Sequence, residues 1–268
     1  AQLFYGLYDR VQSFWGNSEL EATGVPTEGE EAVLQALVDQ GLLNADILSD
    51  QAIMAPVSGA RQLDRKNLRR ASYLLDEAGW RVNSDGMREK DGQVFILEVL
   101  DSSPAFDRIT NPMIENMKAL GIDARLNRVD TAQESERTRA YDFDVTTHSM
   151  RMSFEPSSGL EQYFGTKAMD QSSRNLMGLS DPAVDALIEK VVRAQSKAEL
   201  NTNIQALDRV LRAKRFWIPQ WFKAVHTVAY YDQYGYPDPL PPFARGELDF
   251  WWFDAKKAVK LEAAGVLN

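Results

Sequence analysis

Two aspartates, Asp142 and Asp144, have the spacing of a carboxylate pair on a predicted strand. Side chains two residues apart on a strand point to the same face of the sheet. Such a pair can act as acid and base in catalysis or bind a metal ion. The alternative is solvation at a strand edge, or pairing with Arg137 or Arg139. We expect the alternative, and therefore no catalytic role for these carboxylates.

The other residue types that carry chemistry are sparse. His148 and His226 are the only two histidines, and the sequence has no cysteine. A zinc site needs three or four ligands, so two distant histidines do not predict one. The GxSxG, P-loop and HExxH motifs are absent from the sequence. We expect a protein that is not an enzyme and that holds neither a metal ion nor a cofactor.

Composition excludes several classes of partner. The chain has 268 residues, 44% apolar content and a formal net charge of −9. An acidic protein is a poor partner for nucleic acid or for an anionic membrane surface. No apolar run approaches the ~18 residues that a transmembrane helix needs, so membrane insertion is not expected. The lack of cysteine fits an exported protein, in which free thiols are a hazard.

The elements that must position a site are clearest in residues 93–147. Their pattern predicts three strands, at 93–100, 122–127 and 141–147, with a helix after each of the first two. Asn111 and Pro112 suit the cap and first position of the first helix, and Thr131 with Glu134 suits a capping box for the second. Sheets wound in this way bind ligands at the carboxyl ends of their strands. The residues after Val145 are therefore the first candidates for a site.

Capping residues mark most of the other helices. Thr27, Asp64, Asp181 and Ser196 each precede an apolar-periodic segment and are expected to be helix caps. Residues 1–14 are predicted to be an aromatic helix, so that the chain opens inside a helix and looks incomplete. Residues 148–178 show few regular signals. A connection of that length is usually functional or contains short helices that a sequence pattern does not show.

The C-terminal part of the chain is unusually aromatic. Residues 216–253 hold 13 Phe, Trp and Tyr residues. Each such side chain buries about 150–250 Å² in an ordinary core. This surface packs either on the preceding domain or on protein outside this sequence, and we expect the second.

Several short motifs, taken in order, resemble the family 5 extracellular solute-binding proteins. The family motifs "LL.eAGW", "LkkiGId", "yDfd" and "N..gy.dp..D" have counterparts at 71–80, 120–123, 141–144 and 175–185. Counterparts of the YejA-like subgroup lie at 4–6, 17–20, 219–221 and 251–252. Each motif alone is weak, but their order and spacing cover nearly the whole chain. The family comprises the peptide-binding components of ABC importers of the oligopeptide and dipeptide type.

The resemblance implies an α/β fold, the type II periplasmic-binding-protein clamshell. Residues 1–215 would form the second lobe, a mixed sheet flanked by helices, and residues 216–268 would return to a first lobe that this sequence does not contain. The implied function is the capture of a peptide or peptide-like solute in the periplasm by lobe closure. The implied partners are that ligand, the missing lobe and the transmembrane subunits of an ABC permease. A signal peptide outside this chain would direct export.

The resemblance also implies a ligand-binding segment after the third strand. Its candidate residues are Thr147, His148, Ser149, Met150, Arg151 and Ser153. Three candidates lie outside the segment, and they are Asn175, Arg139 and Trp221. In this segment, oligopeptide binders carry a Trp and, three residues later, an Asp that pairs with the peptide's ammonium group. This chain has Met150 in place of the Trp and Ser153 in place of the Asp. That clamp is therefore not expected here, and Arg151 or His148 could face a carboxylate instead.

Each of the three more distant candidates has a structural alternative. Asn175 could cap a local turn instead of contacting a ligand. Arg139 ends a predicted helix, where a cation is favoured by the helix dipole. Trp221, like Trp217, lies beside Pro219 and could be a core residue instead of the floor of a cleft.

Three other functions compete with peptide capture. The same scaffold could bind a non-peptide solute such as a sugar, an opine or a metal chelate, which the residues at 150 and 153 favour. A hydrolase using Asp142 and Asp144 would require a closed pocket around one carboxylate. A chaperone or docking module would use the aromatic residues of 216–253.

Overall fold

The structure of the chain is a computed structural model. It describes residues 6–58, 63–169, 174–225, 227–241 and 247–266. The chain divides into two compact units, Ala1–Phe222 and Lys223–Asn268. His226 and the first five residues of the predicted N-terminal helix lie outside the described residues.

Nine α-helices form within the described ranges. They are α1 Glu28–Asp39, α2 Arg65–Glu77, α3 Asp107–Lys118, α4 Thr131–Arg139, α5 Leu160–Phe164, α6 Pro182–Arg193, α7 Lys197–Ala213, α8 Glu247–Phe250 and α9 Ala255–Ala263. The same ranges contain short 3₁₀ turns at Ala45–Leu48, Pro104–Phe106 and Thr166–Ala168.

Ten β-strands, most of them short, accompany the helices in the described ranges. They are β1 Asp9–Arg10, β2 Arg81–Val82, β3 Arg88–Lys90, β4 Gln93–Val94, β5 Ile96–Asp101, β6 Asp123–Arg128, β7 Val145–Thr146, β8 Trp221–Phe222, β9 Tyr234–Gly235 and β10 Trp252–Phe253.

The four predicted caps are confirmed. Thr27 accepts a hydrogen bond from the Glu30 amide, and the Glu30 carboxylate accepts one in return from the Thr27 amide. The side chains of Asp64, Asp181 and Ser196 accept bonds from the first turns of α2, α6 and α7. These are local contacts between a side chain and a nearby backbone, which is why the sequence alone reveals them.

A three-stranded parallel sheet forms the centre of residues 93–147. Its order is β6–β5–β7, with Ile96 opposite Asp123 and Val99 opposite Val145. The alternation of strands and helices is confirmed. Because all three strands are parallel, their carboxyl ends lie at one edge of the sheet.

The predicted start of α3 is wrong. Asn111 and Pro112 lie inside the helix, which begins at Asp107. Thr110, in the turn before the predicted start, is buried. Burial of that turn extends the helix although Pro112 lacks the N–H of a normal helical hydrogen bond.

Two of the three strands in residues 93–147 are shorter than predicted. The predicted strand 93–100 is interrupted at Phe95, between β4 and β5. The predicted strand 141–147 shrinks to β7, because Tyr141 has a φ of 55° and so cannot continue an extended strand. The second helix is capped by Asp130, one residue before the predicted Thr131.

The predicted N-terminal helix is wrong for the described residues. Asp9–Arg10 forms β1, which pairs antiparallel with Trp221–Phe222 of β8. This pairing joins positions more than 200 residues apart. A periodic pattern within 1–14 carries no information about it.

Within the described residues, the larger of two buried apolar clusters surrounds α6 and α7. It includes Leu187, Ile188, Ile204 and Leu207, and it also contains Trp15 from the N-terminal segment. The apolar residues Val184, Leu187, Ile188 and Val191 of α6 are buried in it, whereas Val192 is 51% exposed.

A second cluster fills the space between the parallel sheet and α3. Val99 and Ala124 contribute from the sheet, and Ile114 contributes from α3. This packing holds α3 against the sheet and so fixes the face that α3 turns toward the carboxyl edge.

The segment 148–178 contains two short helical elements within its described part. α5 and the 3₁₀ turn Thr166–Ala168 follow one another there. Phe164 at the end of α5 is fully buried in the larger cluster. The long connection is therefore partly core.

The second unit contains a small antiparallel strand pair. Tyr234 and Gly235 of β9 lie opposite Phe253 and Trp252 of β10. Among the residues described in both units, no helix combines the length and apolar character that crossing a membrane requires.

Candidate functional site

A cavity of about 450 Å³ lies at the carboxyl edge of the parallel sheet. β7 and the residues after it, Val145–His148, form one wall. Phe106 and Ile109, before and within α3, form another, and Trp217 and Trp221 close a third side. Ligand pockets usually measure about 300–1,000 Å³, so this cavity has the size of a small-solute site.

A smaller pocket of about 280 Å³ adjoins this cavity. Its polar lining comes from α4, through Glu134, Ser135, Thr138 and Arg139, and from the residues at and after the end of β7, Thr146–His148. The two pockets share Thr146, Thr147, His148 and Leu176 in their linings. A solute lying across these shared residues would contact an apolar surface on one side and polar groups on the other.

The predicted site residues divide into three groups. Thr147, His148, Met150 and Trp221 line the cavity, and Arg139 lines the smaller pocket. Ser149, Arg151 and Ser153 are exposed and line neither pocket, and Asn175 is buried and also lines neither. The geometry therefore brings five of the nine residues to one continuous concave surface.

His148 stands where the two pockets meet. Loss of solvent around the imidazole lowers the pKa of His148 from its usual value of 6.5. The ring is therefore neutral at pH 7, with one nitrogen able to donate and the other able to accept a hydrogen bond.

Met150 and Ser153 differ in what they can contribute. Met150 lines the cavity and packs against the larger apolar cluster. The Ser153 hydroxyl accepts a hydrogen bond from the Glu155 amide at 3.0 Å, and its carbonyl accepts one from Trp15 Nε1 at 3.2 Å. Neither residue supplies a negative charge for an ammonium group.

Asn175 is fully buried, and its side-chain amide forms hydrogen bonds with nearby backbone groups. Its nitrogen donates to the carbonyls of Gly165 at 3.2 Å and Leu179 at 2.9 Å. Its oxygen accepts from the Leu179 amide at 2.9 Å. Of the two roles considered for this residue, the turn is the one with structural support.

Three arginines at this end of the sheet have different partners. Arg137 bonds to Glu98 at 2.6 Å and to Asp142 at 2.8 Å. Arg139 and Arg151 are exposed and form no ion pair with another residue of the described ranges. Their guanidinium groups are thus available to an anionic group of a solute.

The two aspartates of the carboxylate pair serve separate purposes. The predicted pairing of Asp142 with Arg137 is present, and Asp144 accepts a hydrogen bond from the Glu98 amide at 2.7 Å. Both aspartates are exposed. Among the described residues, no group of three His, Asp or Glu side chains is placed to hold a metal ion.

Sequence reasoning missed several residues that line the cavity. Phe106, Ile109, Phe143 and Leu176 contribute to its wall. Phe143 lies in the predicted strand that leads into the predicted site segment, and its apolar character in that strand was the only signal. Phe106 and Ile109 reach the wall because α3 packs on the sheet, which no local motif indicates.

Comparison with known proteins identifies the family to which this chain belongs. Residues 3–171 match the profile of the bacterial extracellular solute-binding proteins, family 5 middle region. The protein y4wM of Sinorhizobium fredii is 38% identical over 98% of this chain and 39% of its own length. The probable peptide-binding protein YejA of Agrobacterium fabrum is 37% identical over 93% of this chain and 41% of its own length.

A solved structure supports the fold independently. The oligopeptide-binding protein AppA from Bacillus subtilis, in complex with a nonapeptide, matches with a TM-score of 0.52. The match has 16% identity and covers 81% of this chain and 47% of AppA. It confirms the predicted fold class, the α/β type II clamshell. This chain belongs to the family 5 bacterial extracellular solute-binding proteins, and it spans about two fifths of the length of its relatives y4wM and YejA.

Proposed function

We propose that this chain is the cleft-bearing part of a periplasmic solute-binding protein that captures peptides or peptide-like solutes for an ABC importer. The observation that carries the proposal is the cavity of about 450 Å³ at the carboxyl edge of the sheet, lined by the segment after β7. Family membership and the peptide-binding name of the YejA relative support it.

The proposed mechanism is capture by closure of two lobes. Residues 1–215 would be the second lobe, on which residues 216–222 pack through β8 and Trp217. Residues 223–268 would pack on a first lobe supplied by the rest of the protein. Closure over the cavity would remove the solute from water and strengthen its hydrogen bonds to the protein. No covalent step is needed, and the separate engagement of Asp142 and Asp144 fits a binding role.

The ligand contacts that we propose follow the two pockets. Thr147 and His148 would bond to the polar backbone of a peptide, and Arg139 would face a carboxylate in the smaller pocket. Met150 and Trp221 would contact apolar parts of the ligand. Arg151, Ser149 and Ser153 stay candidates for contacts that form only when the cleft closes.

One observation favours a second candidate, a non-peptide solute such as a sugar or an opine. At the positions where oligopeptide binders carry a Trp and an ammonium-binding Asp, this chain has an apolar Met150 and an uncharged Ser153. The hydroxyl oxygen of Ser153 accepts a local hydrogen bond from Glu155. The described residues of this wall therefore provide no ammonium clamp at that position.

Native mass spectrometry of the complete, gently purified protein distinguishes the two candidates. The protein is weighed intact and then denatured, and the released molecules are identified. Release of a series of short peptides is the expected result. Release of a single sugar or opine mass would overturn the peptide assignment and keep the scaffold's binding role. A protein that carries no solute, and that binds neither tripeptides nor sugars on titration, would contradict both candidates.

A further inference from the structure

The wall of the cavity is mainly apolar and aromatic. Four parts of the chain supply partly exposed apolar side chains to it: the 3₁₀ turn before α3, α3 itself, the residues before β7 and the segment before β8. These side chains are Phe106, Ile109, Met113, Phe143, Trp217 and Ile218. Water against such a surface is unfavourable, and an apolar occupant would release it.

The polar groups on the same wall are already engaged or uncharged. The Asp144 carboxylate accepts a hydrogen bond from the Glu98 amide at 2.7 Å. The Tyr141 hydroxyl donates to the Met169 carbonyl at 2.6 Å. The Arg174 guanidinium lies over the Tyr163 ring, 5.3 Å from its centroid. A charged side chain of a solute would lose water among the apolar side chains that form most of this wall.

We propose that this cavity is a specificity subsite for a bulky apolar side chain, such as Phe, Leu or Met, of the captured solute. The proposal rests on the proposed function and deepens it, because it names the chemical class of side chain that the site selects. Continuity supports this occupant, since Thr147 and His148 line both this cavity and the polar pocket beside it. A residue whose backbone lies on Thr147 would direct its side chain among the rings.

The first experiment titrates the complete protein, freed of co-purified solute, with tripeptides that differ at one position. The varied residue is Phe, Leu, Gly, Asp or Lys, placed in turn at each of the three positions in an alanine background. At one position we expect Phe and Leu to bind about 10- to 100-fold more tightly than Gly, Asp or Lys. Equal affinities across the panel would overturn the subsite and leave the importer function standing.

Two isoleucines give a matched pair of variants. Ile218 lines the cavity and is 52% exposed, whereas Ile96 is 53% exposed at the opposite, amino end of β5. Ile218→Asn should weaken binding of the Phe tripeptide about 3- to 10-fold, with little change for the Gly tripeptide. Ile96→Asn should change neither. Equal effects of the two variants would contradict the subsite.

A second measurement keeps the subsite testable if no tripeptide binds. Methionine-methyl NMR of the complete protein is recorded with N-acetyl-phenylalaninamide and with N-acetyl-lysinamide. Met113, Met150 and Met177 line the cavity, and the exposed Met54, which does not, serves as a reference. Shifts at the three lining methionines with the phenylalanine amide alone support the subsite, even if peptide capture fails. No shift with either amide would overturn it.

Discussion

The indole ring of Trp217 stacks on the phenyl ring of Phe14, with centroids 4.1 Å apart and planes 23° apart. Phe14 also meets the buried ring of Phe164 edge-on, at 5.1 Å between centroids. One face of the cavity is therefore held against the larger apolar cluster by a residue of the N-terminal segment. This contact fixes Trp217 against the N-terminal segment.

Replacing Phe14 with alanine should loosen that wall. We expect Phe14→Ala to lower the free energy of unfolding by about 2–3 kcal/mol, less than for a fully buried Phe because Phe14 is only partly buried. Solute affinity should also fall, since Trp217 loses its stacking partner. Thermal unfolding and ligand titration measure the two effects.

The control for this variant lies in the same segment. Leu7 is 60% exposed, so Leu7→Ala should change both quantities little. Unchanged ligand affinity in Phe14→Ala would show that Trp217 does not need Phe14 to form the wall.

Asn175 offers a test of a structural role against a ligand role. Asn175→Ala leaves the buried carbonyl of Gly165 and the partly buried carbonyl of Leu179 without this donor, and the Leu179 amide without its acceptor. We expect a loss of about 2–3 kcal/mol in chemical denaturation, with or without solute. Asn44→Ala is the matched control, because Asn44 is exposed and makes no side-chain capping bond. A stability loss that appears only with solute bound would instead indicate a ligand contact.

Sequence patterns predicted the elements that depend on neighbours along the chain. The caps at Thr27 and Ser196 and the alternation of strands and helices in 93–147 are of this kind. The pairing of Asp9–Arg10 with Trp221–Phe222 was beyond prediction, because it depends on residues brought together by the whole fold.

Gly235 is a position where a side chain has no room. A Cβ atom added there would lie 2.5 Å from the indole of Trp252, its partner across the β9–β10 pair. In Gly235→Ala the indole must move and lose its packing, which should destabilise the second unit by about 1–3 kcal/mol.

Hydrogen exchange at β9 and β10 would report the effect of Gly235→Ala as faster opening. Gly159→Ala is the control, because Gly159 has a φ of −60° and open space around the added Cβ. If exchange in the two variants were the same, packing of Trp252 on Gly235 would not stabilise the strand pair.

His148 predicts a pH dependence with a definite sign. Desolvation holds its pKa below 6.5 in the folded state, so the folded protein binds fewer protons than the unfolded chain in the window below that value. Stability should therefore fall as the pH drops from 6.5 toward the folded-state pKa. His148→Asn should remove this part of the dependence while leaving the contribution of other groups.

NMR titration of the His148 ring measures this pKa directly. A value above 6.5 in the solute-free protein would contradict the partly desolvated position between the two pockets. A rise on binding an anionic solute would place a negative group beside the ring.

The candidate site was predictable in its location and less so in its chemistry. The rule that ligands bind at the carboxyl ends of parallel strands placed Thr147, His148 and Met150 at the cavity. The aromatic and apolar side of the cavity depends on Phe106 and Ile109, which reach it through the packing of α3 on the sheet. Packing of this kind is set by side chains from distant parts of the chain, so a local pattern does not indicate it.

The central claim, that the carboxyl edge of the sheet is the solute-binding surface, is tested most directly by hydrogen exchange. The complete protein is compared before and after removal of its co-purified solutes. We predict slower exchange with solute at residues 144–150 and 216–221, and little change around the amino end of β5 at Ile96. Protection confined to other parts of the chain, with none at 144–150, would contradict the account.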